Sequence, residues 1–264
     1  MISFDYSQQP KRAVVHCDLC KGLRFEPYAK WDRYGLPVKS SQCLICGLVF
    51  LNPLMTAGAY QLFYAEGHYR SLLRDYYGED RFDPESLEKE QRDYARRLTS
   101  FVGDDLHRSK AATLLDLGGS TGVVADSLAR GFGLRATVVD PAREELGRAT
   151  ARGLETVLGT AEAWQSRPGR YDVVLLCRSV DHLRSVSAVL RKIRSALSPE
   201  GLFFVDAVDY RRSAEKGREE AIKLDHPYYL EPALMRQYLD QANFEVIRTG
   251  HDEDGLHVRW LCAR

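Results

Sequence analysis

A chain of 264 residues is long enough for one large α/β domain and a smaller appendage. With 44% hydrophobic and 28% charged residues it has the make-up of an ordinary soluble globular protein. Its 37 basic and 37 acidic side chains cancel, which argues against a protein whose main task is gripping phosphate backbones. No stretch approaches bilayer-spanning length, and the first ten residues lack an apolar run of signal-peptide length. No membrane partner is expected, and a cytosolic location follows.

Residues 1–55 read as a small metal-stapled domain. Cys17-Asp18-Leu19-Cys20 and Cys43-Leu44-Ile45-Cys46 form two C-x2-C knuckles separated by 22 residues. In a reducing compartment, paired cysteines indicate metal before disulfide. Four thiolates on two short turns suit tetrahedral zinc and leave no coordination position for water, so Cys17, Cys20, Cys43 and Cys46 read as a structural site. A redox C-x-x-C needs only one pair, in a strand-to-helix setting. His16 adjoins a knuckle but is surplus to a four-cysteine set.

Residues 56–108 read as a helical connecting segment. Asp83-Pro84-Glu85 supplies an N-cap, a first-turn proline and an acid at the positive helix end. Beyond it Leu87, Tyr94, Leu98, Phe101 and Val102 fall on one face. From 109 to 264 short apolar runs alternate with amphipathic stretches. The runs at 113–117, 136–139, 155–158, 172–176 and 202–205 are predicted strands, with helices at 123–130, 142–151 and 186–197. That alternation implies a doubly wound, Rossmann-like α/β sheet covered on both faces. A further helix follows Pro232. Two last strands, 244–248 and 256–262, are joined by a hairpin and complete a seven-stranded sheet with an antiparallel edge.

In such a sheet the ligand sits beyond the carboxyl ends of the strands. The first strand ends at Leu117, and Gly118 to Gly122 turn the chain into a helix whose free N–H groups favour an anionic group. Asp140, 22 residues after Gly118 and at the end of the second strand, stands where an acid accepts hydrogen bonds from a ribose. A dinucleotide fingerprint wants glycine at its first, third and sixth positions. This chain has Gly118, Ser120 and Val123 there.

Leu114-Leu115-Asp116-Leu117-Gly118-Gly119-Ser120-Thr121-Gly122 resembles the first motif of class I S-adenosylmethionine-dependent methyltransferases. Val138-Val139-Asp140-Pro141 resembles the second, and Gly159-Thr160-Ala161-Glu162 stands where such enzymes contact the adenine. Tyr171 to Cys177 followed by Val180-Asp181-His182-Leu183 resembles the fourth strand and its turn, and Leu197-Ser198-Pro199-Glu200-Gly201-Leu202 the turn before strand five. The resemblance implies S-adenosylmethionine as cofactor, held by Asp116, Gly118, Gly119, Ser120, Gly122, Asp140, Pro141, Ala161, Glu162 and Cys177. From its residues alone, Cys177 also reads as an ordinary strand residue. Two positions depart from the pattern: Ser120 replaces the middle glycine, and Thr160 replaces the usual acid.

Cys43 to Pro53 and Phe63-Tyr64-Ala65-Glu66-Gly67-His68-Tyr69 resemble a methyltransferase subfamily with an N-terminal zinc ribbon, many members of which act on sugars or nucleotide sugars. The expected partner is therefore a small-molecule acceptor. His182 follows strand four and is either the general base or a residue that shapes the pocket. In Asp225-His226-Pro227-Tyr228-Tyr229, His226 and Tyr228 form a lid over a sugar or pack structurally. Two other readings stand beside this one: an RNA methyltransferase gripping its substrate with the ribbon, and a non-catalytic interaction module. The acceptor atom and the oligomeric state are left open.

Overall fold

The computed structural model describes residues 4–78, 83–165, 167–215 and 217–264. Its first part holds β1 (Lys11–Arg12), β2 (Phe25–Ala29), β3 (Ser40–Cys43), β4 (Val49–Leu51) and β5 (Leu54–Met55). The helices α1 (Ala57–Ala65), α2 (His68–Tyr77) and α3 (Pro84–Arg108) follow. Asp83 caps α3 by accepting from the Glu85 and Ser86 amides, as the sequence predicts.

The remaining chain alternates strand and helix: β6 (Thr113–Leu117), α4 (Val123–Phe132), β7 (Arg135–Asp140), α5 (Arg143–Ala151), β8 (Glu155–Leu158), β9 (Tyr171–Leu176), α6 (Val186–Ala196) and β10 (Leu197–Val208). Then come two short helices, α7 (Tyr210–Ala214) and α8 (Arg218–Ala221), and β11 (Tyr228–Tyr229), α9 (Pro232–Gln241), β12 (Glu245–His251) and β13 (His257–Ala263). The large sheet has the order β12-β13-β10-β9-β6-β7-β8. β13 runs antiparallel to both β10 and β12, while β10-β9-β6-β7-β8 are parallel throughout. The chain order reverses between β6 and β9, which opens the crevice beyond Leu117 and Leu176.

Side-chain alternation along the strands divides the core into two faces. Leu115, Leu117, Val174, Leu176, Phe203 and Val205 point towards α6 and α9. Leu114, Val173, Leu175 and Phe204 point towards α3, α4 and α5. Helix α3 thus packs as a layer of the sheet domain, through Tyr94, Ala95, Leu98, Val102 and Leu106.

The cysteine-bearing part lies on the α6–α9 face, where Cys17, Leu19, Cys43, Leu48 and Phe50 join the same apolar cluster. Its four-stranded sheet, β11-β4-β3-β2, takes its last strand from Tyr228 and Tyr229. Asp18 ties the first knuckle to α6: it accepts from the Ser187 amide at 2.9 Å and from the Ser185 and Ser187 hydroxyls at 2.8 and 2.9 Å. No helix among the described residues is long and apolar enough to cross a membrane.

Candidate active site

A cleft of about 1570 Å³ opens at the carboxyl ends of β6, β7 and β9, between the sheet and helices α1, α2 and α3. Single small-molecule sites span roughly 300–1,000 Å³, so there is room for a cofactor and an acceptor together. Asp116, Gly118, Gly119, Ser120, Asp140, Pro141, Ala161, Glu162, Cys177 and His182 all line it.

The floor is the glycine loop. Gly118 has φ +78°, and a Cβ there would meet the Ser179 hydroxyl at 2.5 Å. A Cβ on Gly119 would stand 2.7 Å from the Asp116 carboxylate, and one on Gly122 2.8 Å from Ala149 of α5. Gly122 is thus required by helix packing and does not line the cleft, whereas Gly118 and Gly119 let the chain lie flat over strand ends. Beneath the loop Asp116 is fully buried, and neither of its oxygens has a hydrogen-bond partner among the described residues. Burial, reinforced by nearby Asp140, pushes its carboxyl up to about 7. A buried carboxylate short of donors is suited to an ammonium group such as a methionine moiety carries.

Asp140 ends β7. It accepts from the Ser120 and Ala142 amides, each at 2.8 Å, and burial raises it to about 6. Ser120, the non-glycine of the loop, sits in the left-handed region at φ +51°. Its hydroxyl donates to Glu145 of α5, and Glu145 is held in a fork by Arg70 of α2, at 2.6 and 3.0 Å. The serine side chain is therefore turned towards α5. The Thr121 hydroxyl donates to Gln91 of α3. Near the expected adenine position, Glu162 accepts the Arg184 amide at 2.6 Å, and Thr160 accepts the Ala163 amide at 3.2 Å.

His182 lies in a 3-10 turn after β9. Its Nδ1 is 2.9 Å from the Asp225 backbone carbonyl and 3.1 Å from the Tyr64 hydroxyl. A carbonyl only accepts, so Nδ1 carries the proton and Nε2 is left with its lone pair. Tyr69 of α2 packs edge-on against the ring at 5.5 Å, and His226 at 4.8 Å. Burial lowers the His182 pKa from the ordinary 6.5, outweighing the opposing pull of Asp225.

His226 and Tyr228 do not line this cleft; they line a small pocket behind it. His226 Nε2 stands 3.3 Å from an Asp225 carboxylate oxygen, and burial drives its pKa far down. Tyr228 is a buried strand residue whose hydroxyl donates to the Arg184 carbonyl at 3.1 Å. The segment expected as a lid is the strand that completes the cysteine-bearing sheet. Ligand atoms of His182, Asp225 and His226 lie within 4.8 Å of one another, but the nitrogen His182 turns towards Asp225 is the protonated one. Tyr64, Tyr69, Arg70, Gln91, Glu145 and Asp225 are the site residues that sequence reasoning did not assign. Only the aromatic run at 63–69 and the segment 225–229 signalled any of them.

The four knuckle thiols converge as the spacing predicts. All lie within 4.8 Å of one another, with Cys17 to Cys46 and Cys20 to Cys43 at 3.5 Å. Both knuckles fold alike: the Lys21 and Gly47 amides donate to the Cys17 and Cys43 carbonyls at 3.0 and 2.9 Å, with φ +60° and +80°. A metal–sulfur length of about 2.3 Å puts tetrahedral sulfurs roughly 3.8 Å apart, so the set fits zinc.

A family model described as a methyltransferase domain matches residues 87–249, from the second turn of α3 to β12. The chain belongs to that family. It is an S-adenosylmethionine-dependent methyltransferase with the fold its motifs imply. Of its relatives, the ubiquinone biosynthesis O-methyltransferase of Methylobacterium nodulans is 34% identical over 172 residues, covering 59% of this chain and 69% of that one. The C-methyltransferase NovU of Streptomyces niveus is 30% identical over 118 residues, covering 43% of this chain and 28% of that one. Across the ubiquinone-biosynthesis relatives the chain spans between 41% and 69% of their length. A SAM-dependent methyltransferase structure from Aquifex aeolicus superposes with a TM-score of 0.54 at 13% identity, covering 69% of this chain and 98% of that one. That likeness is one of fold.

Proposed function

We propose that this methyltransferase acts on a sugar or nucleotide sugar in the cytoplasm, with His182 as general base and a structural zinc in the cysteine-bearing domain. The observation that carries the base assignment is the contact of His182 Nδ1 with the Asp225 carbonyl, which fixes the tautomer. Bound in the cleft, S-adenosylmethionine supplies an electrophilic methyl carbon on a sulfonium leaving group. Asp116 would accept from its ammonium and Asp140 from its ribose, and residues 161–162 would flank its adenine. His182 Nε2 would take the proton from the acceptor, a hydroxyl or a carbon next to a carbonyl, placed in line with the methyl group that the cofactor would supply. The enclosing helices keep water away from the reacting atoms.

The sugar reading rests on where two segments lie. Residues 63–69, which resemble the sugar-modifying subfamily, place Tyr64 and Tyr69 against His182. Residues 43–53 build the sheet that β11 completes, three positions after Asp225. Relatives named for O- and for C-methylation are compatible with either acceptor atom. The RNA reading is disfavoured because Asp18 of the first knuckle is committed to α6 and the chain has no basic excess.

Replacing His182 by Gln or Ala is expected to lower kcat by about 10²–10⁴-fold while cofactor affinity by calorimetry stays unchanged. Turnover at the wild-type rate would remove His182 from the mechanism. With its pKa held below 6.5, kcat/KM is flat above that pH and falls in acid as Nε2 is protonated. An acceptor screen with methyl-labelled cofactor and a panel of sugars, nucleotide sugars and phenols tests the substrate class.

A further inference from the structure

Ser120, Glu145 and Arg70 come from three separate elements, the glycine loop, α5 and α2, and they meet at the mouth of the cleft. We propose that this trio is a latch that holds α2 over the bound cofactor, so that cofactor release requires the latch to open. The proposal rests on the assignment of the cleft to S-adenosylmethionine.

Helix α2 is short and bracketed by glycines in conformations that only glycine adopts readily: Gly67 at φ +73° and Gly78 at φ +97°. Between them α2 supplies one wall of the cleft through Tyr69, Arg70, Ser71 and Arg74. Opposite it, Glu145 lies five residues after Asp140 and shares a neighbour with it, since Ser120 donates its amide to Asp140 and its hydroxyl to Glu145. The Arg70 fork then closes the chain of contacts across the mouth. Although burial works the other way, Arg70 and Ser120 keep Glu145 below its usual carboxylate range, so the ion pair stays charged. The side chains are 25% and 14% exposed, which leaves the pair dry enough to hold and wet enough to exchange with water. Tyr69, next to Arg70, packs on His182, so one helix is tied to the cofactor loop through Glu145 and also packs on the proposed base. Ser120 accepts a left-handed backbone that glycine would adopt without strain. Its hydroxyl contact with Glu145 is what glycine could not supply.

These are positioning residues, and release kinetics separate that role from a purely structural one. Dissociation of S-adenosylhomocysteine from the full chain is followed by stopped flow after a chase with excess S-adenosylmethionine, and melting temperature is measured alongside. Arg70→Gln is expected to speed release at least tenfold and to raise the acceptor KM, with kcat per bound complex less affected. Ser120→Gly is expected to speed release several-fold while the melting temperature holds or rises. The double exchange of Arg70→Glu with Glu145→Arg restores slow release. Release at the wild-type rate in both single variants overturns the latch. So does release that accelerates only in step with lost melting temperature. A wild-type protein that binds no S-adenosylhomocysteine overturns the cofactor assignment and the latch with it, and that is visible before any variant is made.

Discussion

Asp116 is the residue at which folding and function pull apart most plainly. It is fully buried, lacks hydrogen-bond partners of its own among the described residues, and is pushed up to about 7. A carboxyl whose folded pKa lies above its ordinary 3.8 binds its proton more tightly when folded, so its stabilising contribution is full below pH 4 and is lost as pH rises through 7. Asp116→Asn removes the charge at nearly constant shape. The cofactor-free variant is expected to be about 1–2 kcal/mol more stable than the wild type at pH 8, with a flatter pH dependence, while cofactor affinity falls at least tenfold. Chemical denaturation at pH 5 and 8, with calorimetry, checks both; equal affinity would show that Asp116 does not meet the cofactor. At this scale the sequence made Ser120 visible as a departure from glycine, but not its partner. Glu145 lies 25 residues away, and only the packing of α5 beside the loop brings the two together. His182 is similar: its place after strand four was legible, while its tautomer is fixed by a carbonyl 43 residues later.

At the scale of single elements, α6 shows how the small domain is fastened. Ser185 caps the helix, accepting from the Ala188 amide at 3.2 Å, and Asp18 adds a carboxylate at the same positive end. Asp18→Ala breaks three hydrogen bonds across the interface and is expected to cost about 1–3 kcal/mol in denaturant unfolding. Asp18→Asn keeps two acceptor contacts at most and falls between. A loss below about 0.5 kcal/mol would mean the apolar contacts alone hold the domains together. The strands β6 to β10, β12 and β13 and the helices α4, α5, α6 and α9 were readable from periodicity because their apolar runs are bounded by turns, whereas the short α7 and α8 were not. β11 was not: a two-residue strand has no period, and Tyr228 and Tyr229 join the sheet only because β4 offers them an edge.

For the molecule as a whole, the decisive feature is that the cysteine-bearing part shares an apolar cluster with the sheet. Loss of the zinc proposed for the knuckles is therefore expected to be felt in the catalytic domain. Cys43→Ser is expected to lose one molar equivalent of zinc by elemental analysis and to lower the melting temperature by roughly 10 °C, in one transition. Two separated transitions would show instead that the small domain melts alone. Treatment with a strong chelator should act in the same direction at wild-type sequence.

Local sequence determined the strand and helix alternation, the glycine loop with its acid, and the four thiols, because each is set by neighbours a few residues apart or by covalent spacing. The tertiary structure decided what those parts face. It turned Ser120 towards α5, placed Tyr228 in a strand away from the cleft, and laid the cysteine-bearing sheet on the α6–α9 face. It also set α2 across the cleft. Each of these depends on which surfaces are buried against each other, and contacts between residues 25 to 191 positions apart leave no period in the chain to read.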